Sequence, residues 1–520
     1  MWTPVDFPAE VVARGTLART GLDGPLRSLL ATPVWSDAAV KASGLPISGA
    51  PVVSVGGGLA SFALVDFMRI CDVPTDEIRV VSPQRHPYQN MRYLIHRSQI
   101  QDNDPLRSDS VSRMDNIWGF PSYAVDQAIQ RRSLAPLLTV LGEPLVTEFF
   151  NPAPDQVFRG IDREAARIGW PSMVMPGWVR VVRKREGGGY FSLVCPADGG
   201  PPVVLLSRYV HIGTGHPAIN CSEQAVDYRI RHNDFFSVVN AYEPHEHVYQ
   251  VLRRRAATVV IRGAGITASR VLERLLADRA KHGNDIRIIH LFRTYVDGSK
   301  GPLTFRRPGG DGWGYQAFSF PKAAGPGQLR RRMAGMDSDR RAEFIKAMGG
   351  TTTAKRRAWQ RQLRLARVGG YYRAFHGDVR DMAPTEDGRV ELRVDVAELP
   401  AITRMEVDFV IDCTGLRMKL GDNPLLADLL DTGGARCNPM GGLDVGPNFE
   451  VLGTDQDPGR IYASGTIARG GYLAPVDSFW GFSYAALMIC DDLARRGFCS
   501  RLGVTRSVSG WLKWLGGVTP

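Results

Sequence analysis

The amino-acid sequence predicts an α/β protein in which a buried strand, a glycine turn and a helix occur together twice. The first unit begins with the apolar run 52–55, and the second begins with the run 257–262. Short, continuously apolar runs are typical of strands covered on both faces of a parallel sheet. The chain has 520 residues, a length that suits two or three domains.

The first glycine turn is Gly56-Gly57-Gly58-Leu59-Ala60-Ser61, followed by the helix-like run 62–68. Gly56 permits a tight turn, and Gly58, which has no Cβ, lets the backbone approach the phosphates of a dinucleotide. The following helix would present free N–H groups to the pyrophosphate. Ser61 replaces the third glycine of the pattern and is small enough for close helix–strand packing. An ordinary tight turn is the alternative interpretation.

A second copy of the pattern favours the dinucleotide interpretation. It reads Gly263-Ala264-Gly265-Ile266-Thr267-Ala268, and residues 269–276 then carry apolar side chains at helical spacing. Two copies predict two Rossmann-like dinucleotide-binding domains.

The residues after each unit's second strand bear on the choice of nucleotide. Ser82-Pro83-Gln84 follows the first unit's strand 78–81, where an acid usually holds the ribose hydroxyls, so we expect Ser82 or Gln84 to bind there. Arg293 follows the second unit's strand 286–291. An arginine at this place accommodates a 2′-phosphate and indicates NADP, with a plain surface arginine as the alternative.

Composition and charge pattern indicate a globular protein that does not bind nucleic acid. Hydrophobic residues make up 44% and charged residues 22%, which is ordinary for a globular protein, and the net charge is +11. The basic clusters 253–255, 330–332 and 355–357 indicate solvated helix faces rather than a nucleic-acid site. A basic surface would favour phosphorylated ligands.

Cysteine usage and the chain ends indicate a cytoplasmic protein. The seven cysteines include no C-x-x-C pair, so we expect neither a catalytic dithiol nor a zinc ribbon, and an odd number fits a reducing compartment. No apolar leader precedes residue 50 and no run approaches ~20 apolar residues, so we expect no membrane association. His245-x-His247 indicates a surface pair rather than half of a metal site.

The rest of the chain supplies further elements. Residues 1–50 form a predicted N-terminal extension, and the polar and aromatic stretches 88–94 and 118–121 are either structured loops or a floor for a cofactor ring. Residues 151–206 are predicted to be turn-rich and strand-like, with a hairpin at 187–189. The strand 209–212 would return the chain through Gly213-Thr214-Gly215 to the first sheet, and residues 220–249 would link to the second unit.

Beyond the second unit, residues 297–370 form a predicted insertion with a glycine-rich start, 308–314, and two helical stretches. A β-meander from residue 371 would end in Asp412-Cys413-Thr414-Gly415. The strand 460–464 leads into Gly465-Thr466, and an apolar, buried helix begins at residue 479. Asp477-Ser478 precedes that helix as its N-cap.

Together these segments resemble the flavin-dependent N-hydroxylating monooxygenases of the ornithine and lysine N-monooxygenase type, and more distantly the class B flavin monooxygenases. The likeness covers residues 50–490 and rests on the order of four motifs and on the insertion, with its segments 340–344 and 351–353. The motifs are Gly56-x-Gly58, Gly213-Thr214-Gly215-x-Pro217, Gly263-x-Gly265-x-x-Ala268 and Asp408-x-x-x-Asp412-Cys413-Thr414-Gly415-Leu416. Leu59 replaces the usual proline, and Asp412 and Leu416 replace an apolar residue and a tyrosine.

The resemblance implies FAD at the first turn and NADP at the second. It divides the chain into an extension (1–50), an FAD-binding domain (51–240), an NADP-binding domain (241–415) with an insertion at about 297–370, and a return to the FAD-binding domain (416–520). The predicted cofactor-binding residues are Gly56, Gly57, Gly58, Leu59, Ala60, Ser61, Ser82, Gln84, Arg92, Gly213, Thr214, Gly215, Gly263, Ala264, Gly265, Ile266, Thr267, Ala268, Arg293, Thr414, Gly415, Gly465, Thr466, Asp477 and Ser478.

The function implied is NADPH-dependent monooxygenation of a small molecule by O2, with N-hydroxylation of an amine through a C4a-hydroperoxyflavin. Such chemistry belongs to the cofactor, which agrees with the lack of a recognisable catalytic triad or carboxylate pair in the sequence. The dipole of the helix after Ser478 would stabilise reduced flavin. A flavin-dependent dehydrogenase or reductase, and a flavin-binding redox protein without turnover, stay open as alternatives, as does a homo-oligomer.

Overall fold

The computed structural model describes residues 24–106, 113–143, 150–216, 218–293, 328–348, 357–397 and 402–520. Within these ranges the strands are β1 Val34–Trp35, β2 Ile47–Gly49, β3 Val52–Val55, β4 Ile78–Val81, β5 Val174–Met175, β6 Gly177–Arg185, β7 Tyr190–Pro196, β8 Val203–Ser207, β9 Tyr209–Ile212, β10 Ala218–Ile219, β11 Val238–Asn240, β12 Ala257–Arg262, β13 Ile286–Phe292, β14 Tyr372–Pro384, β15 Val390–Val396, β16 Thr403–Val407, β17 Phe409–Asp412, β18 Leu416–Arg417 and β19 Arg460–Ala463.

The helices in the same ranges are α1 Gly24–Leu30, α2 Asp37–Ala42, α3 Leu59–Ile70, α4 Gln89–Arg97, α5 Ser122–Arg131, α6 Ala135–Gly142, α7 Pro154–Ile168, α8 Trp170–Met173, α9 Glu223–His232, α10 Glu246–Arg254, α11 Ile266–His282, α12 Gln328–Ala334, α13 Ser338–Met348, α14 Arg357–Val368, α15 Pro424–Asp431, α16 Phe479–Arg495 and α17 Val504–Leu515. Each of these helices falls short of the length and apolar character that a membrane span needs.

The first unit builds a parallel sheet with the strand order β19-β9-β3-β4-β5. Strand β3 is central and wholly buried, as its four consecutive apolar or small residues predict. The return of β9 to this sheet is confirmed, and β19 extends the sheet beyond β9.

A separate mixed sheet has the order β1-β6-β7-β8-β2, in which β6, β7 and β8 are antiparallel and the edge strands β1 and β2 pair in parallel orientation. Its β6–β7 hairpin turns at residues 187–189 as predicted. Strands β1 and β2 of the N-terminal extension occupy its two edges, and Leu29, Trp35 and Val40 pack on its face. The strand-like description of residues 151–206 is wrong at its start, where α7 and α8 lie.

The second unit builds a seven-stranded sheet with the order β11-β17-β12-β13-β14-β15-β16. Its first five strands run parallel, and β14, β15 and β16 form the predicted meander. Two sequence predictions need correction here. Residues 220–249 are more than a linker, because they contain α9, β11 and the start of α10. Strand β17 belongs to the parallel part of the sheet rather than to the meander, since β11 and β12 flank it.

The chain passes between the two parallel sheets after β9 and again after β17. Strands β10 and β18 lie on these two passages and pair with each other in antiparallel orientation. In the insertion, residues 294–327 and 349–356 lie outside the described ranges, and these include the glycine-rich segment 308–314. Three helices, α12, α13 and α14, are found where two helical stretches were predicted.

The basic clusters make contacts as well as facing solvent. Arg253 pairs with Asp278, and Arg255 pairs with Asp408. Arg330 donates to the Tyr484 hydroxyl at 3.0 Å. Lys355 and Arg356 lie outside the described residues.

Asp66 is a buried acid on α3, the helix that follows the first glycine turn. Its Oδ1 has no hydrogen-bond partner among the described residues, and an Arg167 nitrogen lies 3.7 Å from that oxygen. Burial first, and then the neighbouring Glu164 carboxyl, raise the pKa of Asp66 well above its usual range. Asp66 therefore tends to keep its proton in the folded protein.

This shift predicts a pH-dependent effect of Asp66→Asn. Above pH ~4 the folded state binds more protons at this site than the unfolded chain, so the site's contribution to the free energy of unfolding falls as the pH rises toward the raised pKa. An asparagine stays neutral, so we expect Asp66→Asn to be more stable than wild type at pH 8 and near-equal at pH 4, with a difference at pH 8 of about 1.4 kcal/mol for each unit by which folding raises the pKa of Asp66 toward that pH.

Urea unfolding at both pH values measures this difference. Asp76→Asn is the matched control, because Asp76 is exposed and precedes the same sheet's next strand. A variant that is less stable than wild type at pH 8 would contradict the assignment of a retained proton to Asp66.

Candidate dinucleotide sites

The first glycine turn lies between β3 and α3, against the loop that follows β9. Gly56 has a φ of +90°, and its N–H donates to the Val81 carbonyl at 2.9 Å. A Cβ on Gly56 would lie 2.7 Å from the Gly213 carbonyl oxygen, so both backbone conformation and space require glycine here. A Cβ on Gly58 would meet only that same oxygen, at 3.9 Å. The space beside Gly58 is what a phosphate approach needs.

The second glycine turn repeats this geometry. Gly263 has a φ of +129°, and its N–H donates to the Leu291 carbonyl at 2.9 Å. A Cβ on Gly263 would lie 2.4 Å from the Cys413 carbonyl oxygen, whereas a Cβ on Gly265 would meet no atom within 4 Å. In both turns the first glycine is enclosed by a neighbouring loop and the third position of the turn is open.

The two helices that follow also begin alike. Gly58 caps α3 with φ −80° and ψ −174°, and Gly265 caps α11 with φ −79° and ψ −176°. Neither cap supplies a side-chain hydrogen bond. The first N–H groups of both helices are therefore left to bind an anion, and the helix dipole adds partial positive charge.

Three buried polar atoms beside the first turn lack a hydrogen-bond partner among the described residues: Ser61 Oγ, Thr214 Oγ1 and His216 Nδ1. Ser61 lies in the first turn of α3, and a Cβ on Gly213 would lie 2.7 Å from its hydroxyl oxygen. Leaving a buried polar group unpaired costs about 1–3 kcal/mol, so three together favour a polar ligand. With the open glycine and the uncapped helix, these atoms fit a bound dinucleotide.

Ser82 and Gln84 follow β4, at the place where dinucleotide sites usually have a ribose-binding acid. Ser82 is buried, and its hydroxyl oxygen accepts the N–H of Gln84 at 3.1 Å. A Cβ on Gly57 would lie 2.6 Å from Ser82 Oγ, which explains why the middle residue of the turn is also glycine. Ser82 thus lies against the turn, and its O–H can still donate to a ligand.

Of the two polar and aromatic stretches after the first unit, 88–94 lies largely in a helix and 118–121 packs against the C-terminal helix. Residues 89–97 form α4, so the structured-loop prediction for 88–94 is wrong. Arg92 lies on this helix with its guanidinium carbon 5.9 Å from the centre of the Phe158 ring. Trp118 donates to the Ser507 carbonyl, and Phe120 packs on Trp514, so these two aromatic rings contact the C-terminal helix.

Thr267, in the first turn of α11, already has protein partners. Its hydroxyl lies 2.7 Å from the Tyr242 hydroxyl and 3.5 Å from Ser98 Oγ. Tyr93 on α4 donates to the Tyr242 carbonyl at 3.2 Å. Residues following the first unit therefore hold the start of the second unit's helix, a connection that the sequence did not predict.

Asp412 ends β17 and organises the crossover. Its Oδ2 accepts the N–H and the hydroxyl of Ser222, at 2.8 and 2.6 Å, and its Oδ1 accepts the N–H and the hydroxyl of Thr414, at 2.9 and 2.6 Å. Gly415, with φ +104°, follows directly. Asp412, which departs from the N-hydroxylase pattern, thus links the two passages between the sheets. It also accepts the hydrogen bond that the Thr414 hydroxyl donates.

Arg293 lies directly after β13, at the carboxyl end of the second unit's second strand. Its side chain is 73% exposed, and its Nε is 3.9 Å from Asp378 Oδ2. The guanidinium group therefore has a loose ion pair and open surroundings, which leave it able to reach a phosphate at this sheet edge.

The C-terminal return places a second loop beside the first turn. A Cβ on Gly465, which has φ +75°, would lie 3.3 Å from Ala60 Cβ and 3.5 Å from the Phe482 ring. Thr466 follows Gly465 in a buried 3-10 turn. The predicted N-cap of α16 is confirmed, because Ser478 Oγ accepts the N–H of Gly481 at 3.1 Å, and Asp477 precedes it on the surface. Helix α16 packs along α3. The prediction of a buried helix is confirmed, since seven of its residues are buried and Arg495 is its one exposed residue.

His211 is held by hydrogen bonds within the protein, whereas His216 Nδ1 has no hydrogen-bond partner among the described residues. His211 bridges Ser54 and Ser464 at 2.9 and 2.7 Å, and burial lowers its pKa to about 3. Burial also lowers the pKa of His216. His245 is buried with a pKa of about 4, mainly through burial, so the surface-pair prediction is wrong for it. No metal-binding group of three or more ligands occurs among the described residues.

Comparison with known proteins gives matches in structure only. No family model and no curated protein matches the sequence. The ornithine hydroxylase PvdA of Pseudomonas aeruginosa aligns with a TM-score of 0.60 and 15% identity, over 86% of this chain and 100% of its own. The cadaverine monooxygenase DfoA of Erwinia amylovora, solved with FAD, gives 0.61 and 12%, over 87% and 96%.

The ornithine N-hydroxylase KtzI of Kutzneria sp. 744, solved with reduced FAD, NADP⁺ and L-ornithine, aligns with a TM-score of 0.61 and 14% identity, over 86% of this chain and 100% of its own. At such identities the likeness concerns the fold. It confirms the predicted fold class of two Rossmann-like dinucleotide-binding domains and the resemblance to N-hydroxylases at that level.

Proposed function

We propose that this protein is an FAD-dependent, NADPH-using monooxygenase that N-hydroxylates an amine on a small molecule. The observation that carries the proposal is the pair of glycine turns with matching geometry, one in each parallel sheet. When bound, FAD reduced by NADPH supplies the chemistry that activates O2 for transfer of one oxygen atom to the substrate.

In this proposal the first turn holds the FAD pyrophosphate. Gly58 leaves room for it, the uncapped N-terminus of α3 binds its charge, and Thr214 and Ser61 donate hydrogen bonds to the cofactor. The second turn and the N-terminus of α11 hold the NADPH pyrophosphate in the same way. Residues 51–219 and 416–520 then form the FAD-binding domain, and residues 220–415 form the NADPH-binding domain, because β11 pairs with β17 in the second sheet.

The insertion supports water exclusion near the reaction centre. Arg330 on α12 bonds the Tyr484 hydroxyl, and Arg341 on α13 lies over the Tyr472 ring, with its guanidinium carbon 4.1 Å from the ring centre. Both tyrosines lie close in sequence to the N-cap of α16, which would face the flavin. The insertion thus packs over this end of α16, and a covered site protects reactive intermediates from solvent.

Product analysis tests the reaction class. The protein is incubated with FAD, NADPH, O2 and amino acids or diamines such as ornithine, lysine and cadaverine, and hydroxylamine product and hydrogen peroxide are measured together. We expect at least one amine to raise hydroxylamine formation while lowering peroxide per NADPH consumed. Peroxide as the sole oxygen product with every amine would favour the reductase alternative.

A further inference from the structure

Three cysteines that are far apart in sequence meet in the folded chain. Cys71 follows α3, Cys490 lies in α16, and Cys499 follows α16. The thiols of Cys490 and Cys499 both lie near enough to the Cys71 thiol to lower its pKa. The Cys499 thiol also lies 3.6 Å from the Cys490 carbonyl oxygen. Sequence spacing predicts no cysteine pair, so this cluster arises from packing alone.

The backbones at Cys71 and Cys499 run side by side. The Ser500 N–H donates to the Cys71 carbonyl at 3.0 Å, and the Ser500 hydroxyl donates to Asp72 at 3.1 Å. Arg506 forms a further ion pair with Asp72. This backbone hydrogen bond places the segments that carry Cys71 and Cys499 side by side, as a disulfide with its Cα atoms about 4.4–6.8 Å apart requires.

Cys490 is a poorer partner for Cys71. Its backbone is fixed within α16, which packs against α3. Cys499 instead lies beyond the end of α16, next to Ser500, whose N–H donates to the Cys71 carbonyl. The geometry therefore selects Cys499 from the two neighbours of Cys71.

The cluster is also arranged for oxidation. Cys71 and Cys490 are buried, whereas Cys499 is half-buried and connects the cluster to solvent. The neighbouring Cys490 and Cys499 thiols lower the pKa of the Cys71 thiol, and the thiolate is the form that reacts with oxidants.

We propose that Cys71 and Cys499 form a reversible disulfide when the protein meets hydrogen peroxide. The Cys71 thiolate attacks one peroxide oxygen, the O–O bond breaks, and the leaving hydroxide takes a proton, which gives a sulfenic acid and one water. The Cys499 thiol then attacks the sulfenic sulfur, the S–O bond breaks, and a second water leaves with the thiol proton. The two sulfurs lose two electrons to the peroxide.

The consequence is a covalent attachment of the C-terminal segment to the end of α3. Helix α17, which follows Cys499, has no fully buried residue. Trp118 donates to the Ser507 carbonyl at 3.1 Å, and Trp514 donates to the Asp115 carbonyl at 2.8 Å. These polar contacts hold α17 in place, and a disulfide at its start would slow its release from the protein.

Thiol counting and peptide mapping test the proposal on the full-length protein. Peroxide is added under native conditions, excess reagent is removed, and thiols are titrated after denaturation. We expect the seven free thiols of the reduced chain to fall by two, a non-reducing peptide map to link Cys71 to Cys499, and dithiothreitol to restore both thiols. Proteolytic release of α17 should become slower in the oxidised protein.

Serine variants separate the roles of the cysteines. Cys499→Ser should stop at a Cys71 sulfenic acid that dimedone traps, whereas Cys490→Ser, the matched control, should still form the disulfide. A Cys71–Cys490 link, a link between chains, or seven unchanged thiols in wild type would overturn the proposal. Because the peroxide is added, these results do not depend on the proposed flavin chemistry.

Discussion

A Gly58→Val protein should fold normally and lose its flavin. The Cβ at this position meets only the Gly213 carbonyl at 3.9 Å, and Gly58 has φ −80° and ψ −174°, a backbone that any residue adopts. The valine side chain would instead occupy the approach to the N-terminus of α3, where we propose that the pyrophosphate binds. We expect flavin occupancy to fall at least about tenfold, which corresponds to ~1.4 kcal/mol of binding free energy.

Gly503→Val is the matched control for this experiment. Gly503 also caps a helix, α17, with φ −90° and ψ 177°, and a Cβ there would meet no atom within 4 Å. Both variants carry the same loss of a favourable N-cap residue, but only Gly58 lies in the proposed site. The ratio of flavin to protein absorbance measures the outcome after purification. Full flavin content in folded Gly58→Val would refute the assignment of the first turn.

An Arg293→Ala protein should lose its preference for NADPH. The guanidinium group of Arg293 follows β13, is mostly exposed, and among the described residues has a single loose ion pair, at 3.9 Å, with Asp378. A charge-assisted contact with a 2′-phosphate contributes about 1.5–3 kcal/mol, so we expect a loss of roughly 10- to 150-fold in NADPH affinity. The affinity for NADH, which lacks that phosphate, should hardly change.

Anaerobic flavin reduction at increasing concentrations of each nucleotide measures both affinities. Arg287→Ala is the control, since Arg287 is an exposed arginine on β13 itself and its loss changes the net charge equally. The NADP assignment fails if wild type reduces equally well with both nucleotides, or if Arg293→Ala keeps the wild-type preference.

The glycine turns were predictable because their chemistry is local. Consecutive residues determine all three of their features, as at Gly56 and Gly263. These features are a buried apolar run, a glycine with positive φ and a helix without a side-chain cap. Strands β3, β4, β12 and β13 follow from the same short-range patterns. Helix α7 was missed, although Pro154 near its start, Gly169 at its end and apolar residues at helical spacing signal it.

Other features depend on contacts between distant parts of the chain. Asp412 stands in a recognisable motif, but the sequence does not show that Ser222 would complete its hydrogen bonds. Strand β17 follows the meander without a break, and only pairing with β11 and β12 places it in the parallel sheet. The cluster of Cys71, Cys490 and Cys499 likewise depends on the packing of α3 against α16.

The most direct test of a flavin monooxygenase with two nucleotide sites is a rapid-mixing experiment in two steps. NADPH is first added to the FAD-loaded protein without oxygen, and the reduced protein is then mixed with oxygenated buffer. We expect NADPH to bleach the flavin in the first step, and a transient near-ultraviolet absorption band to precede the return of oxidised flavin in the second. Direct return of oxidised flavin with stoichiometric peroxide, in the presence of every amine tested, would contradict monooxygenation, and failure of NADPH to bleach the flavin would contradict the second nucleotide site.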